Sequence, residues 1–525
     1  MTTYNIALKD GVDYDEFWHE IETDGRGSIY IPNRAVDIVN ERPTSLRQCW
    51  YDLTNEEAEK LRNDSRVYCV EIPPEFRTDI VMKHHSSQTG IYSKLAGTPD
   101  PYWVNWGLPR MNSTTDNTHG NVGFFTYNYP LDGTGVDVVI QDSGAQIIHP
   151  EFRYPNGQSR VQQIDWYAAS GIPGTMPLAF YTDHVGHGTH VTGIAAGLTY
   201  GRAKNAHIYI MTLAGLCAPP TNGINVTQAF DLIKGWHNNK PIDPVLGYKR
   251  PSVVNMSWGY ANVFASIYNG VYRGVSWTGT TKQTQYGMIG NSSGYFGVRV
   301  DSIDVDVAEL LAAGVILVGA AGNYYQTIDN PGGLDYDNYF YQAGSSGGLR
   351  YYMRGSSPTA VPGVICVGAV DIGFYGPEGK EQKAAYSESG PRVDLYAPGT
   401  QIVSALSQYY VNAFIYYPYG VQTYPYDSGF MIANISGTSM ASPNVAGIAA
   451  QLLQVYPTAT PAQIRQKIID MAQTNMLYST GSSTDYAVTN SLHGGPNRFA
   501  YQSFNTATNS SSAGPVIMAN TTLRS

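Results

Sequence analysis

Three separated side chains carry the chemistry that can be read from this chain. The stretch 434–453, NISGTSMASPNVAGIAAQLL, sets the hydroxyl of Ser439 between small residues just ahead of an apolar helical run. Its simplest reading is a helix start, since Thr438 or Ser439 could accept a bond from an orphan N–H, and Pro443 would then belong to the first turn. Asp142 closes the strand-like VDVVIQDSG and alone reads as a turn or cap. In DHVGHGTHVTGIAAGL, His187 and His190 are three apart, which raises zinc. No third ligand follows at metal spacing and no Glu accompanies them as in H-E-x-x-H, so the metal reading is weak. Gly186 and Gly188 instead let the chain turn closely around His187. Together the three supply an orienter, a general base and a nucleophile: imidazole takes the serine proton during attack and returns it to the leaving group, while the acid holds the tautomer.

The elements that must position these groups fall into regions. Residues 1–77 alternate strand-like and helix-like runs: YNIALKD, DYDEFWHEIE, SIYI, RAVDIVN, RQCWYDL, TNEEAEKLRND and VYCVEI. Thr54 and Glu57 make a capping box. The order βαββαβ, with room for an extra strand, predicts a small α+β ferredoxin-like sheet with helices on one face. Residues 78–100 lose periodicity and read as a linker. Across 101–477, short apolar runs ending in small residues (GVDVVIQDSG, AHIYIMTLAG, PSVVNMSWG, GVILVGAAGN, GVICVGAV) alternate with helical candidates. That predicts an α/β fold with a doubly wound, mostly parallel sheet whose site lies at the carboxyl ends of the strands. Residues 478–525 read as a C-terminal extension.

Composition sets outer limits. A chain of 525 residues can bury a large core. A net charge of -10 without a basic stripe argues against nucleic acid. Cys49, Cys69, Cys217 and Cys366 form no C-x-x-C pair. A Cys49–Cys69 disulfide is conceivable within the small domain, and the others read as buried hydrophobes. The N-terminus lacks the pattern of a signal peptide and no run is long enough to span a bilayer, so the expectation is cytoplasmic synthesis without a membrane partner.

The chain order Asp, His, Ser is that of the subtilisin arrangement. Seven blocks in sequence (QDSGAQIIHPEF, GHGTHVTGIAAG, VVNMSWG, VILVGAAGN, PGVICVGAV, RVDLYAPGTQIVSA and SGTSMASPNVAGIAA) resemble the signatures of the subtilases, and TYGRAKNAHIYIMTL resembles the proteinase K branch. The resemblance implies a serine endopeptidase working through an acyl-enzyme, with Asp142, His187 and Ser439 as triad and Asn323 as oxyanion donor. Ser257, Trp258 and Gly259, with Ala320, Ala321 and Gly322, would wall the pocket for the residue before the scissile bond; Trp258 stands where relatives carry Leu and would narrow an adjoining subsite. Residues 1–77 resemble the subtilase prodomain, a folding assistant and inhibitor, which makes the chain a zymogen with its processing site in 78–100. Asp394 matches a calcium ligand of relatives, although one carboxylate is not a site, and the chemistry itself requires no cofactor. Segments 260–300, 324–360 and 407–431 are enlarged and rich in Tyr, reading as surface loops or as an assembly surface. The alternative to an enzyme that cuts polypeptides is a structural or assembly protein, such as a virion component, that keeps this fold.

Overall fold

The computed structural model describes residues 1–22, 36–84, 105–114, 127, 129–154, 156–288, 294–343, 348–371, 380–410, 420–479 and 491–502. The N-terminal unit runs β1 (Thr2–Leu8), α1 (Tyr14–Glu22), β2 (Asp37–Glu41), β3 (Gln48–Leu53), α2 (Asn55–Arg62) and β4 (Val67–Glu71). Its strands lie in the order β2-β3-β1-β4 and pair antiparallel, the ferredoxin-like arrangement expected. Phe17 and Ile21 of α1 and Ala58 and Leu61 of α2 pack on Ile6, Leu8, Tyr51 and Leu53 of the sheet. Thr54 Oγ1 accepts from Glu57 N and the Glu57 carboxylate from Thr54 N, so the capping box is formed. The strand read at 28–31 lies outside the described residues.

The conceivable disulfide is absent. Strand β1 lies between β3 and β4, with Ile6 opposite Cys49 and Ala7 opposite Cys69. The thiols are therefore two strand spacings apart, roughly 9–10 Å, and on opposite faces, beyond the reach of an S–S bond. All four cysteines are free.

Beyond this unit come β5 (Val81–His84), α3 (Gly107–Arg110), β6 (Asp137–Asp142), α4 (Trp166–Ser170), α5 (His187–Ala196), β7 (His207–Thr212), α6 (Val226–Asn239), β8 (Ser252–Met256) and β9 (Trp258–Val263). Then follow β10 (Ile267–Tyr272), β11 (Val275–Thr278), β12 (Tyr295–Gly297), α7 (Asp301–Ala312), β13 (Ile316–Ala320), β14 (Tyr339–Gln342), β15 (Gly348–Tyr351), β16 (Ile365–Val370) and β17 (Glu381–Gln382). The chain closes with β18 (Leu395–Pro398), β19 (Ile402–Leu406), β20 (Val421–Thr423), β21 (Met431–Ile435), α8 (Thr438–Val455), α9 (Pro461–Met471), β22 (Gln473–Thr474), β23 (Leu477–Tyr478) and β24 (Arg498–Phe499).

Eight strands form the central sheet in the order β22-β24-β18-β16-β13-β8-β6-β7, parallel except for β22. Both faces are covered, which is why its strands read as unbroken apolar runs. Ala195 of α5 and Val445 and Ile448 of α8 lie in one core cluster, Leu232 of α6 and Val307 of α7 in the other. The boundary expected at 477 is too early, because β24 pairs with β18 and Leu492, Phe499 and Ala500 belong to the main core. A two-residue strand has no periodicity to read.

Two of the enlarged segments are not loose loops. They join in one antiparallel sheet, β11-β10-β14-β15, with a small core of its own that includes Ile267, Trp277, Phe340 and Tyr352. The third supplies β20, which pairs with β21.

The N-terminal sheet docks on α6 and α7 through paired polar groups. Arg42 is buried between Asp231 (2.5 Å) and Asp306 (2.7 Å). Glu71 accepts from Ser302 N (2.7 Å) at the start of α7, and Glu75 from Thr227 N (3.3 Å) at the start of α6. Neither helix has a side-chain cap from its own N-cap residue, so the N-terminal region supplies acceptors for orphan N–H groups.

The reading of 78–100 as linker fails for its first part. Strand β5 pairs antiparallel with β9, Val81 opposite Ala261, Met82 opposite Tyr260, Lys83 opposite Gly259 and His84 opposite Trp258. Four residues with an exposed Val and a Lys carry little strand signal alone; the free edge of β9 makes the strand. Residues 85–100 lie outside the described residues.

Candidate active site

Strand β6 is buried along its length and lies between β7 and β8, where the strand order reverses. Its last residue, Asp142, thus projects from the topological switch point, the usual ligand crevice of such sheets. The chain turns at Gly144, passes through α4 and returns to the end of β6 as α5, whose first residue is His187. Gly186 has φ +88° at the helix start, and a methyl group on Gly188 would fall 2.1 Å from the Gly144 carbonyl oxygen. Only glycine at both positions lets the helix start this close to the end of β6.

His187 Nδ1 lies 2.9 and 3.0 Å from the two carboxylate oxygens of Asp142. A carboxylate only accepts, so Nδ1 carries the proton and Nε2 is the basic nitrogen. Burial holds the imidazole pKa down at about 3, against the opposing charge of Asp183, so the ring is neutral at ordinary pH in this closed arrangement.

Asp183 escaped the sequence reading. Its Oδ1 accepts from Val185 N, Gly186 N and Ser143 Oγ at 2.8–3.0 Å, and its Oδ2 from Thr189 N and Oγ1 at 2.9 and 2.6 Å. One buried carboxylate therefore satisfies the start of α5 and ties it to the residue after Asp142. The available signal was an Asp just upstream of a Gly-rich helix start.

Ser439 is the second residue of α8, and the helix has no side-chain cap, so capping is not its role. Pro443 is the sixth helical residue, not a first-turn one. A proline there removes the N–H that would bond the carbonyl of Ser439. Ser257 replaces it: Ser257 Oγ donates to that carbonyl at 3.0 Å, while Ser439 Oγ donates to the carbonyl of Ser257 at 3.0 Å. Behind them, Ser442 Oγ donates to Asn255 Oδ1 (2.5 Å) and Asn255 Nδ2 to Ser257 Oγ (2.9 Å).

Asn323 follows β13. Its Oδ1 accepts from Thr438 N (3.0 Å) and Thr438 Oγ1 (2.9 Å), which fixes the amide with Nδ2 on the other side. That buried Nδ2 makes no hydrogen bond to any described residue. A donor held in place without a ground-state partner beside Ser439 can meet a developing oxyanion.

The candidate pocket walls converge here as well. Ser257 immediately precedes β9, and Trp258 and Gly259 open it in the ladder with β5. Ala320 ends β13, Ala321 N donates to Val367 O (2.9 Å) and Gly322 N to Thr438 Oγ1 (3.2 Å). Trp258 is wholly buried and edge-on to Tyr260, in the cluster that also holds Ile80 and against which Met82 packs. The indole read as narrowing an adjoining subsite is packed into this core, beside the strand that pairs with β9.

Two cation readings do not fit. His190, about one turn along α5 from His187, donates from Nε2 to the carbonyl of Ala433 (3.0 Å), as a buried structural histidine. Asp394, the calcium ligand implied by resemblance, accepts from Cys366 N (3.0 Å) and is ion-paired with Arg392 and Arg465. Two guanidinium groups occupy the oxygens a cation would need. Among the described residues no group of three acidic, His or Cys side chains is placed to hold a metal.

The profile described as "Subtilase family" matches residues 133–517 of this chain. The chain is a subtilase. It is 27% identical over 437 residues to the extracellular serine proteinase of Thermus sp. (strain Rt41A), covering 83% of this chain and 73% of that protein. It is 26% identical over 436 residues to the cuticle-degrading protease of Metarhizium anisopliae, covering 82% and 77%. Fervidolysin from Fervidobacterium pennivorans, a solved keratinolytic enzyme related to subtilisin, superposes over 95% of this subtilase and 60% of its own chain, with a TM-score of 0.50 and 19% identity. This subtilase is a serine endopeptidase and its substrates are polypeptides. The reading as a structural protein finds no support among these relatives. Among the described residues no helix is long and apolar enough to cross a membrane.

Proposed function

We propose that Ser439 is the nucleophile, His187 its general base, Asp142 the residue that orients and electrostatically supports His187, and Asn323 Nδ2 an oxyanion donor beside the N–H of Ser439. Substrate would lie antiparallel on β9, as β5 does, with Ser257 to Gly259 on one side and Ala320 to Gly322 on the other. As Ser439 Oγ attacks, His187 Nε2 takes its proton and then passes it to the leaving amine; water repeats the cycle to free the acyl group. The two donors meet the oxyanion of each tetrahedral intermediate, and the start of α8 adds its dipole. No cofactor takes part in these steps.

Residues 1–77 with β5 act in this reading as a prodomain. They cover α6 and α7 while β5 uses the main-chain bonds of β9 that a substrate would use. The supporting observation is the convergence on Ser257: its carbonyl accepts from Ser439 Oγ, and the next residue begins the ladder with β5. A strand continued in the register of β5 would meet Ser257 one residue after the pair His84–Trp258, so this reading puts self-cleavage shortly after His84.

A fluorophosphonate probe tests the reading. Wild-type chain should be labelled stoichiometrically at Ser439 and yield a new N-terminus a few residues beyond His84, whereas Ser439→Ala should stay whole and unlabelled. A full-length, unlabelled wild type would count against both roles.

A further inference from the structure

Glu388 is wholly buried, and neither of its carboxyl oxygens has a hydrogen-bond partner among the described residues. Its backbone N–H donates to the carbonyl of Gly322 (3.0 Å), and its side chain returns to the same residue: a methyl group on Gly322 would lie 2.6–2.9 Å from the Glu388 carboxyl atoms. The carboxyl thus fills the space that a side chain on Gly322, a residue of the candidate pocket wall, would take.

The face of a bound strand points the same way. Lys83, opposite Gly259, sets its ammonium 5.0 Å over the ring of Tyr295, which lies 6.1 Å from the ring of Tyr324. Tyr324 is close enough to Glu388 for the acid to raise its phenol pKa, after burial as the larger cause. In a strand laid on β9 as β5 is, the next residue on the Lys83 face stands opposite Ser257, where the Ser439 hydroxyl is bonded. In the active-site reading proposed above, that is the residue before the scissile bond.

We propose that Glu388 is a specificity-determining residue of this pocket, selecting substrates with lysine or arginine immediately before the cleaved bond. A buried carboxyl without donors is costly, and an ammonium or guanidinium supplies charge-assisted donors that an aliphatic side chain lacks. Burial raises the Glu388 pKa well above the ordinary carboxylate range, with Lys383 opposing. An arriving cation would favour ionisation as Lys383 does. Lys383 Nζ is itself committed to the carbonyls of Ala384 and Ser387, both at 2.8 Å.

This rests on the active-site reading above, and the experiment separates the two. Self-processed enzyme is assayed on two peptides identical except for Lys or Leu before the cut, as wild type, Glu388→Gln and Glu388→Ser, with fluorophosphonate labelling in parallel. Wild type should prefer Lys, and the Lys-to-Leu ratio of kcat/KM should fall about 10- to 100-fold in the variants, the worth of a hydrogen bond to a charged group. The bonds that wild type cuts in denatured casein provide a measurement independent of variant folding: they should follow Lys or Arg. A labelled wild type that prefers Leu, or whose Lys preference survives Glu388→Gln, overturns the assignment of Glu388 and leaves the triad standing. An unlabelled Ser439 overturns the active-site reading instead.

Discussion

Ser257 and Ser439 exchange two hydrogen bonds of 3.0 Å, each hydroxyl donating to the other's carbonyl. Pro443 makes the exchange necessary, because it leaves the Ser439 carbonyl without its helical donor. Ser257→Ala should therefore strand the buried carbonyl of Ser439. The expected cost is about 1–3 kcal/mol in stability, read from urea unfolding, with kcat reduced more than KM is raised. Replacing Pro443 by Ala in the same background restores an N–H and should recover part of the loss. No recovery would mean that the carbonyl is not what Ser257 satisfies.

Residues acting as one catalytic unit give non-additive losses. Ser439→Ala should drop turnover to the level left by binding and oxyanion donors, and adding His187→Ala should cost little more. Multiplying losses, measured on a peptide anilide, would contradict the shared role.

The two ends of the Asn323 amide can be tested apart. Asn323→Asp keeps an acceptor for Thr438 N and Oγ1 while removing the Nδ2 donor. We expect kcat to fall at least about 10²-fold in both Asn323→Asp and Asn323→Ala. Thermal stability should fall mainly in the Ala variant, which loses the acceptor. If Asn323→Asp retains wild-type kcat, Nδ2 is not the oxyanion donor.

Sequence reading singled out Asp142, His187 and Ser439 because each sits in a local pattern: a strand end, a glycine-flanked helix start, a small-residue turn. It missed Asp183 for want of a repeating pattern, and the Ser257–Ser439 exchange because the partners are 182 residues apart. The same limit explains the misread linker. Strand β5 exists because β9 offers an edge, and β24 because β18 does; neither short segment announces a partner. Trp258 was read as a bulky residue that narrows an adjoining subsite; its burial beside β5 could not be read, because it follows from that long-range pairing.

Acid should destabilise the closed chain. Burial is the chief cause holding His187 and His190 at about 3 and His237 at about 4. Unfolded histidines titrate near 6.5, so between these values the unfolded chain binds more protons. The contribution of these three rings is full above about pH 6.5 and is lost as pH falls toward 3, by up to about 1.4 kcal/mol per pH unit for each ring, while buried acids such as Glu71 and Glu388, whose pKa values burial raises, act in the opposite direction. Urea midpoints of Ser439→Ala at pH 7.5, 6 and 5 should fall in that order.

Arg42 is the anchor of the N-terminal unit. Its removal leaves Asp231 and Asp306 facing one another without a cation. Added in trans as a 1–84 fragment, the unit should inhibit processed enzyme, and Arg42→Ala should weaken it by about a hundredfold or more, the scale of a broken buried pair. Equal inhibition by both fragments would show that docking does not run through Arg42.

Strand β5 also bears on dose. While β5 belongs to the same chain as β9, its effective concentration at the cleft is on the order of millimolar and independent of how much protein is present. One cut after it makes that contact bimolecular, and the occupied fraction then depends on total concentration. A crowded preparation of processed chains would remain largely silent, and the same preparation would become active on dilution alone.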